Sequence, residues 1–436
     1  MPASPPRRVV ITGVGLVSPL GGDPETLWDA FLSQRSGVAK MTRVATDYLP
    51  TPYGAEAWDF SGHIDDFGPL ESPQKRAIRK GLKVMCRDVQ MGVAAAQKAI
   101  AASSLLADCD PDRTGVMFGA DYIVTTPDEF VEGVRHCLDD QKQFDFSRWA
   151  EDGLPRVTPL WLLKYLPNMP ASHVAIYNDL RGPNNSITLR EASANLACSE
   201  AFTTIKRGAA DAMVVGATGS RVNPLRTVHV MIQGELATNA EDPAELCRPF
   251  DLNRTGAVVG EGAGAIVVEE LGHARARGAT ILGEIVGYGS STVANRESVA
   301  DCGKAIENVL QQSFRTASLT PDKVGHINAH GLGTRACDAA EAQAIHRLFG
   351  DRRVPVMAPK SYFGNLGAGS GMIELIASLT ANAKSALFPI LNYETPDPDC
   401  PIQASRADDP PGDCFLNVNV SPQGQASALV VSRFSE

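Results

Sequence analysis

The stretch Arg181-Gly-Pro-Asn-Asn-Ser-Ile-Thr-Leu-Arg-Glu-Ala-Ser193 leads into a helical pattern and then into Ala210-Asp-Ala-Met-Val-Val-Gly216. Residues from Glu191 to Arg207 carry the spacing of a helix, and Ala212 to Gly216 is a short apolar run closed by glycine, the pattern of a buried strand. Glu191 therefore stands at the head of a helix. There the free N–H groups and the dipole favour a carboxylate by about 0.3–1 kcal/mol, and by up to about 2 kcal/mol when it is partly buried.

Strands and helices alternate on both sides of this stretch. Arg8 to Ser18 is a β-branched run closed by glycines, and Glu25 to Leu32 has helical spacing, with Asp23 or Thr26 as its cap. Val84 to Ile100 reads as a buried helix and Thr114 to Gly119 as the next strand. Residues 124–170 lack periodicity and read as a lid or capping insertion. A second series begins near Arg248, with strands expected at 281–286, 324–328, 354–358 and 426–432. Its helices are expected at 301–317, 338–349 and about 371–385. Such alternation predicts an α/β fold with a mostly parallel sheet between helix layers. The two series suggest duplicated halves, residues 1–250 and 251–436.

Bulk properties narrow the function classes. The chain has 436 residues, 44% hydrophobic and 21% charged, enough for a large core in a globular protein. A net charge of −10 argues against nucleic acid as a partner. Nine cysteines stand singly with no CxxC pair, the usage of a reduced, cytoplasmic protein. The N-terminus lacks the apolar core of a signal peptide, and no apolar run is long enough for a membrane span.

Several motifs in one order point to a family. They are Val9 to Gly21, Arg248-Pro-Phe-Asp-Leu-Asn-Arg-Thr-Gly256 with Val259 to Gly264, Asn328-Ala-His-Gly-Leu-Gly-Thr334, and Pro359-Lys-Ser-Tyr-Phe-Gly-Asn365. Together they resemble the β-ketoacyl-acyl-carrier-protein synthases, the ketosynthases of the thiolase superfamily, over nearly the whole chain. The resemblance implies a thiolase-like five-layered αβαβα fold of two pseudo-symmetric halves. Anchored on Gly182-Pro183 or on Asp211 to Gly216, it places Glu191 where the family carries its nucleophilic cysteine. A carboxylate could form at best an anhydride, a poor store for an acyl chain.

The resemblance also implies roles for other residues. His330 would donate a hydrogen bond to a thioester oxygen, with Thr334, Asp338 and Glu341 intact around it. Lys360 would pair with an acid, expected to be Glu341, as electrostatic support. Asn365 takes the place of a second histidine and retains a donor. The family's aromatic gate loop corresponds to Val420-Ser-Pro-Gln-Gly-Gln-Ala426, where Pro422 removes a donor and Gly424 remains as a backbone contact to substrate. Cys198, seven residues beyond Glu191 and about 10 Å along the helix, reads as a small buried hydrophobe. A basic cluster, Lys75, Arg76, Arg79, Lys80 and Lys83, reads as a solvated helix face or a docking surface for an acidic carrier.

Three functions are expected from these residues. The first is cysteine-independent chemistry, such as decarboxylation, on malonyl or acyl thioesters. The alternative is a non-catalytic, chain-length-factor-like partner of an active ketosynthase, and a weaker third has Glu191 as a general base. The implied partners are an acyl carrier protein that presents substrate on its phosphopantetheine, and a second subunit in a homodimer or heterodimer. No tightly bound cofactor or metal is implied.

Overall fold

The structure, a computed structural model, describes residues 6–238 and 240–436. Residues 1–5 of the segment read for a signal peptide lie outside it. Eleven strands form the main sheet: Val9–Val17 (β1), Thr114–Ala120 (β2), Asn184–Thr188 (β3), Ala212–Ser220 (β4), Glu261–Glu270 (β5), Gly283–Thr292 (β6), His326–Asn328 (β7), Pro355–Met357 (β8), Gln403–Ala404 (β9), Cys414–Val420 (β10) and Gln425–Ser432 (β11). Their order is β9-β8-β7-β10-β11-β6-β1-β5-β4-β2-β3.

The pairing senses reveal the duplication that sequence spacing only suggested. From β1 outward the neighbours are β5 antiparallel, β4 antiparallel to β5, then β2 and β3 parallel. From β6 outward they are β11 antiparallel, β10 antiparallel to β11, then β7 and β8 parallel. The two five-strand series repeat one topology and meet where Val9–Ile11 of β1 pairs with Gly283–Ile285 of β6. Because β5 belongs to the first series, strand pairing divides the halves between Glu270 and Gly283, later than the residue 250 expected.

Three hydrophobic clusters define the layers. Helix Arg87–Ser103 (α2) packs with one face of the first series, and helices Cys302–Ala317 (α5) and Arg335–Phe349 (α6) with one face of the second. Between the two series lie Ser193–Lys206 (α3) and Ala368–Lys384 (α7). Helix α7 is buried continuously from Ala368 to Asn382, as expected of a helix enclosed on all sides. Asp23 caps helix Pro24–Leu32 (α1) through a 2.9 Å bond from the Thr26 N–H.

The segment 124–170 folds into short helical turns, including Pro127–Glu129, Val131–His136 and Trp161–Tyr165, and adds no strand to the main sheet among the described residues. Among the elements that escaped the sequence pattern are β3, β9, β10 and the helices Met169–Asn178 and Pro224–Gln233 (α4). Strand β10, Cys-Phe-Leu-Asn-Val-Asn-Val, hides its signal because Asn417 and Asn419 point into the core and are buried.

Candidate functional site

Parallel strands β2 and β4 run side by side with Ala120 opposite Thr218, so Asp121 and Arg221 both emerge at their C-terminal ends. This edge is where α/β sheets gather functional side chains. The turn before α3 reaches the same place. Its Arg190 adopts φ 54°, a left-handed conformation unusual for a side chain of this size. Ser193 fixes the turn by accepting the Leu189 N–H at 2.8 Å and donating to the Ala120 carbonyl at 3.1 Å.

Glu191 lies on this turn and is 1% exposed. Its Oε1 accepts from Arg221 Nη2 at 2.7 Å and from Asn365 Nδ2 at 3.0 Å. Its Oε2 lies 3.6 Å from Arg190 Nε without a hydrogen bond. Arg221, also 1% exposed, reaches Asp121 Oδ2 at 3.2 Å through the same Nη2. Gly367, at φ 62°, leaves room for this pair, because a Cβ there would lie 2.3 Å from Asp121 Oδ2.

Burial alone would raise the Glu191 carboxyl. The charges of Arg221 and Arg190, and the Asn365 hydrogen bond, outweigh that effect and hold it well below the usual carboxylate range. The neighbourhood balances: Glu191, Asp121 and Asp88 face Arg221, Arg190 and Arg226, with Arg226 donating to Asp88 at 2.9 Å. Paired in this way, the buried charges avoid the large desolvation penalty of a lone ion.

His330 follows β7 and is likewise 1% exposed. Its backbone N–H donates to Glu341 Oε1 at 2.7 Å, and the Gly331 N–H donates to Oε2 at 2.8 Å. Asp338 accepts from Leu332, Gly333 and Phe250. Both acids therefore shape the loop that carries the imidazole. Burial pushes Glu341 up to about 7 and Asp338 up to about 6 despite these bonds. Burial, then the Lys360 charge, drives His330 well below its ordinary value, so its ring is neutral at pH 7. Its buried Nδ1 has no hydrogen-bond partner among the described residues.

One expected pairing needs correction. Lys360 does not pair with Glu341; its Nζ donates to Glu374 on α7. The far oxygen of Glu374 accepts from Asn419 Nδ2 at 2.7 Å, and Asn195 Nδ2 donates to Asn419 Oδ1 at 3.1 Å, giving a continuous buried polar chain. Gly424 lies in the β10–β11 turn with φ 76°, its N–H donating to the Ser421 carbonyl at 3.0 Å. A side chain there would strike the Val293 carbonyl, which accounts for the glycine.

A cavity of about 870 Å³ opens beside His330 and is lined by Leu332, Thr334, Cys302, Cys337, Ser421 and Pro422 among others. Glu191, Asn365 and Gly424 are not in its lining. The lining takes in His330 and Thr334, while Asn365 faces Glu191 behind it, with His330 and Glu191 still near enough for each to shift the other's ionisation. Cys198 is buried on α3 with its thiol pushed up to about 12 by burial, in keeping with a packing role. Of the basic cluster, Lys75 pairs with Asp65; Arg76, Arg79, Lys80 and Lys83 are exposed without an ion pair among the described residues.

Arg221, Asp121, Glu374 and Asn419 were not found from sequence. Each follows a strand or lies within a helix or strand, where no local motif marks it, and only the tertiary pairing gives it a role.

Two repeats of one strand topology around a shared helical layer, with His330 and Asn365 brought to that layer, define a thiolase-like α/β protein. Its sequence matches the family models "Beta-ketoacyl synthase, N-terminal domain" over residues 6–274 and "Beta-ketoacyl synthase, C-terminal domain" over residues 282–394. The chain belongs to the β-ketoacyl synthase family. It is 32% identical over 433 residues to a protein of Coxiella burnetii named 3-oxoacyl-[acyl-carrier-protein] synthase 2, covering 98% of this chain and 99% of that one. The crystal structure of a beta-ketoacyl synthase from Burkholderia phymatum matches with TM-score 0.83 at 28% identity, covering 98% of this chain and 100% of that one. The ishigamide ketosynthase/chain length factor shares the fold, with TM-score 0.80 at 23% identity, 99% of this chain and 100% of that one being covered. No helix among the described residues is long and apolar enough to cross a membrane.

Proposed function

We propose that this chain receives carrier-bound thioesters without condensing them, as the non-catalytic half of a pair with an active ketosynthase. The observation that carries this reading is Glu191 closed into an ion pair with Arg221 at the position where the resemblance expects a cysteine. A carboxylate held ionised so far below neutrality is a weak base, and Glu191 is almost wholly buried and absent from the cavity lining. The Asn365 amide, whose NH2 could serve a thioester oxygen, turns one N–H to Glu191.

Pairing is supported by β3, one of the sheet's two edge strands, whose outer side pairs with no strand among the described residues and is a ready joint for a second subunit. The exposed basic helix Ser72–Gly81 suits an acidic carrier protein, which would present acyl or malonyl groups on phosphopantetheine in the cytoplasm. The test is co-expression with a cysteine-bearing ketosynthase of the same genome. A stable 1:1 complex whose product length differs from that of the ketosynthase alone is expected. A chain that never joins the complex and leaves the products unchanged would sink the reading.

One observation favours a second reading, malonyl decarboxylation: the neutral His330 is among the residues that line the cavity. A donor of this kind is worth about 3–4 kcal/mol when aimed at a developing oxyanion. Release of CO2 from malonyl-carrier, abolished in His330→Ala, would establish that reading over the first.

A further inference from the structure

Arg190 spans the gap between the cavity wall and the Glu191 centre. At one end its Nη1 donates to Gln233 Oε1 at 3.1 Å, and Gln233, the last residue of α4, lines the cavity with Gly234 and Glu235. At the other end its Nε lies 3.6 Å from Glu191 Oε2. Charge attracts these two atoms, but neither has a hydrogen-bond partner among the described residues. The bonded hold on Arg190 is therefore at its cavity end.

A chain of side chains braces that end. An arginine only donates, so Gln233 must turn Oε1 to Arg190 and its amide N–H to the His229 ring, whose Nε2 it meets at 2.6 Å. That nitrogen accepts, which leaves the ring proton on Nδ1, 2.7 Å from the Tyr122 hydroxyl. The Tyr122 ring closes the circuit under the Arg190 guanidinium, with 5.6 Å to the ring centre. Arg190 itself stands at φ 54°, a conformation that suits glycine. A long side chain persists there only where its surroundings hold it.

We propose that Arg190 is the wall that shuts the cavity off from position 191, and that Gln233 holds it in place. The chain is then closed to condensation twice over, by the carboxylate at 191 and by the guanidinium between that carboxylate and the cavity. The proposal rests on the reading that Glu191 is not a reaction centre, and adds the residue that encloses it.

The test places a reporter thiol behind the wall. Full-length Glu191→Cys is alkylated with iodoacetamide and mapped by peptide mass, with cavity-lining Cys302 and buried Cys198 as internal references. Position 191 should label much more slowly in the folded chain than in urea. Adding Arg190→Gly, which suits the left-handed turn, or Gln233→Ala should raise that rate by about tenfold or more, as expected when a hydrogen bond to a charged group no longer holds the wall. The Cys302 rate should not change and Cys198 should stay unlabelled. Loss of the Arg190 charge would by itself leave a thiol at 191 less ionised and slower to react, so acceleration reports access. Labelling of position 191 as fast in the folded chain as in urea removes the closed centre and its wall together. Slow labelling that neither added substitution accelerates overturns the role of Arg190 alone. Acceleration shared with Cys198 also overturns it, because the core and not the wall would have loosened.

Discussion

Arg221 Nη2 lies 2.7 Å from Glu191 Oε1, and both side chains are 1% exposed. A buried ion pair of this kind is strongly destabilising to break, because the surviving charge is left in a medium that solvates it poorly. Arg221→Met should therefore destabilise the fold by about 3–5 kcal/mol, measured by urea unfolding. Glu191→Gln should be milder, since Arg221 keeps Asp121. The double variant should lose less than the sum of the singles, and strict additivity would refute the coupling.

Ionisation of Glu191 carries a pH signature. Its folded value lies below the ordinary carboxylate value of about 4.3, so its contribution is complete above that value and is lost as the pH falls through the lower folded value. Thermal unfolding scans should show a shallower acid decline for Glu191→Gln than for wild type. An unchanged acid limb would contradict an ionised Glu191.

Much of this architecture was legible in the sequence. The Asn328 to Thr334 loop and its two acids were found because the histidine motif is local, and Asp338 and Glu341 act on backbone only a few residues away. The helix at 301–317 matched almost residue for residue because its apolar face is periodic. The partner of Lys360 was misread because Glu374 lies on a helix buried all round, where an acid resembles a solvent-facing one. Arg221 gave no signal, since nothing in a strand end reveals which buried charge it will meet. The half boundary was placed early because β5 follows a loop rich in motif residues, while its membership is decided by pairing with β4 and β1.

Glu341 tests the opposite limb of the pH curve. Burial raises its folded value to about 7, so the favourable contribution is complete below the unfolded value and lost as the pH rises through the folded one. Glu341→Gln should flatten the decline in Tm between about pH 4.3 and 7. It retains one acceptor for the His330 and Gly331 N–H groups, and the remaining N–H should cost about 1–3 kcal/mol.

Burial, and after it the Lys360 charge, depresses His330. Replacing the pair together, Lys360→Met with Glu374→Gln, avoids leaving Glu374 unpaired and should move the His330 titration upward in NMR spectra. A downward shift or no shift would show that burial alone sets the imidazole.

Glu191→Cys supplies the missing thiol but leaves the geometry in place: Asn365 and Arg221 turned to position 191, and a cavity whose lining stops short of it. Condensation assays with acyl- and malonyl-carrier should find no product from this variant alone. Robust condensation would show that the closed site opens for substrate.

The central claim is that the Glu191 centre is a closed ion pair and not a reaction centre. Its most direct test is CO2 release from malonyl-carrier incubated with the purified chain alone. The account predicts release no faster than in buffer, with no difference among wild type, Glu191→Gln and His330→Ala. Release well above buffer that falls in either variant would contradict it.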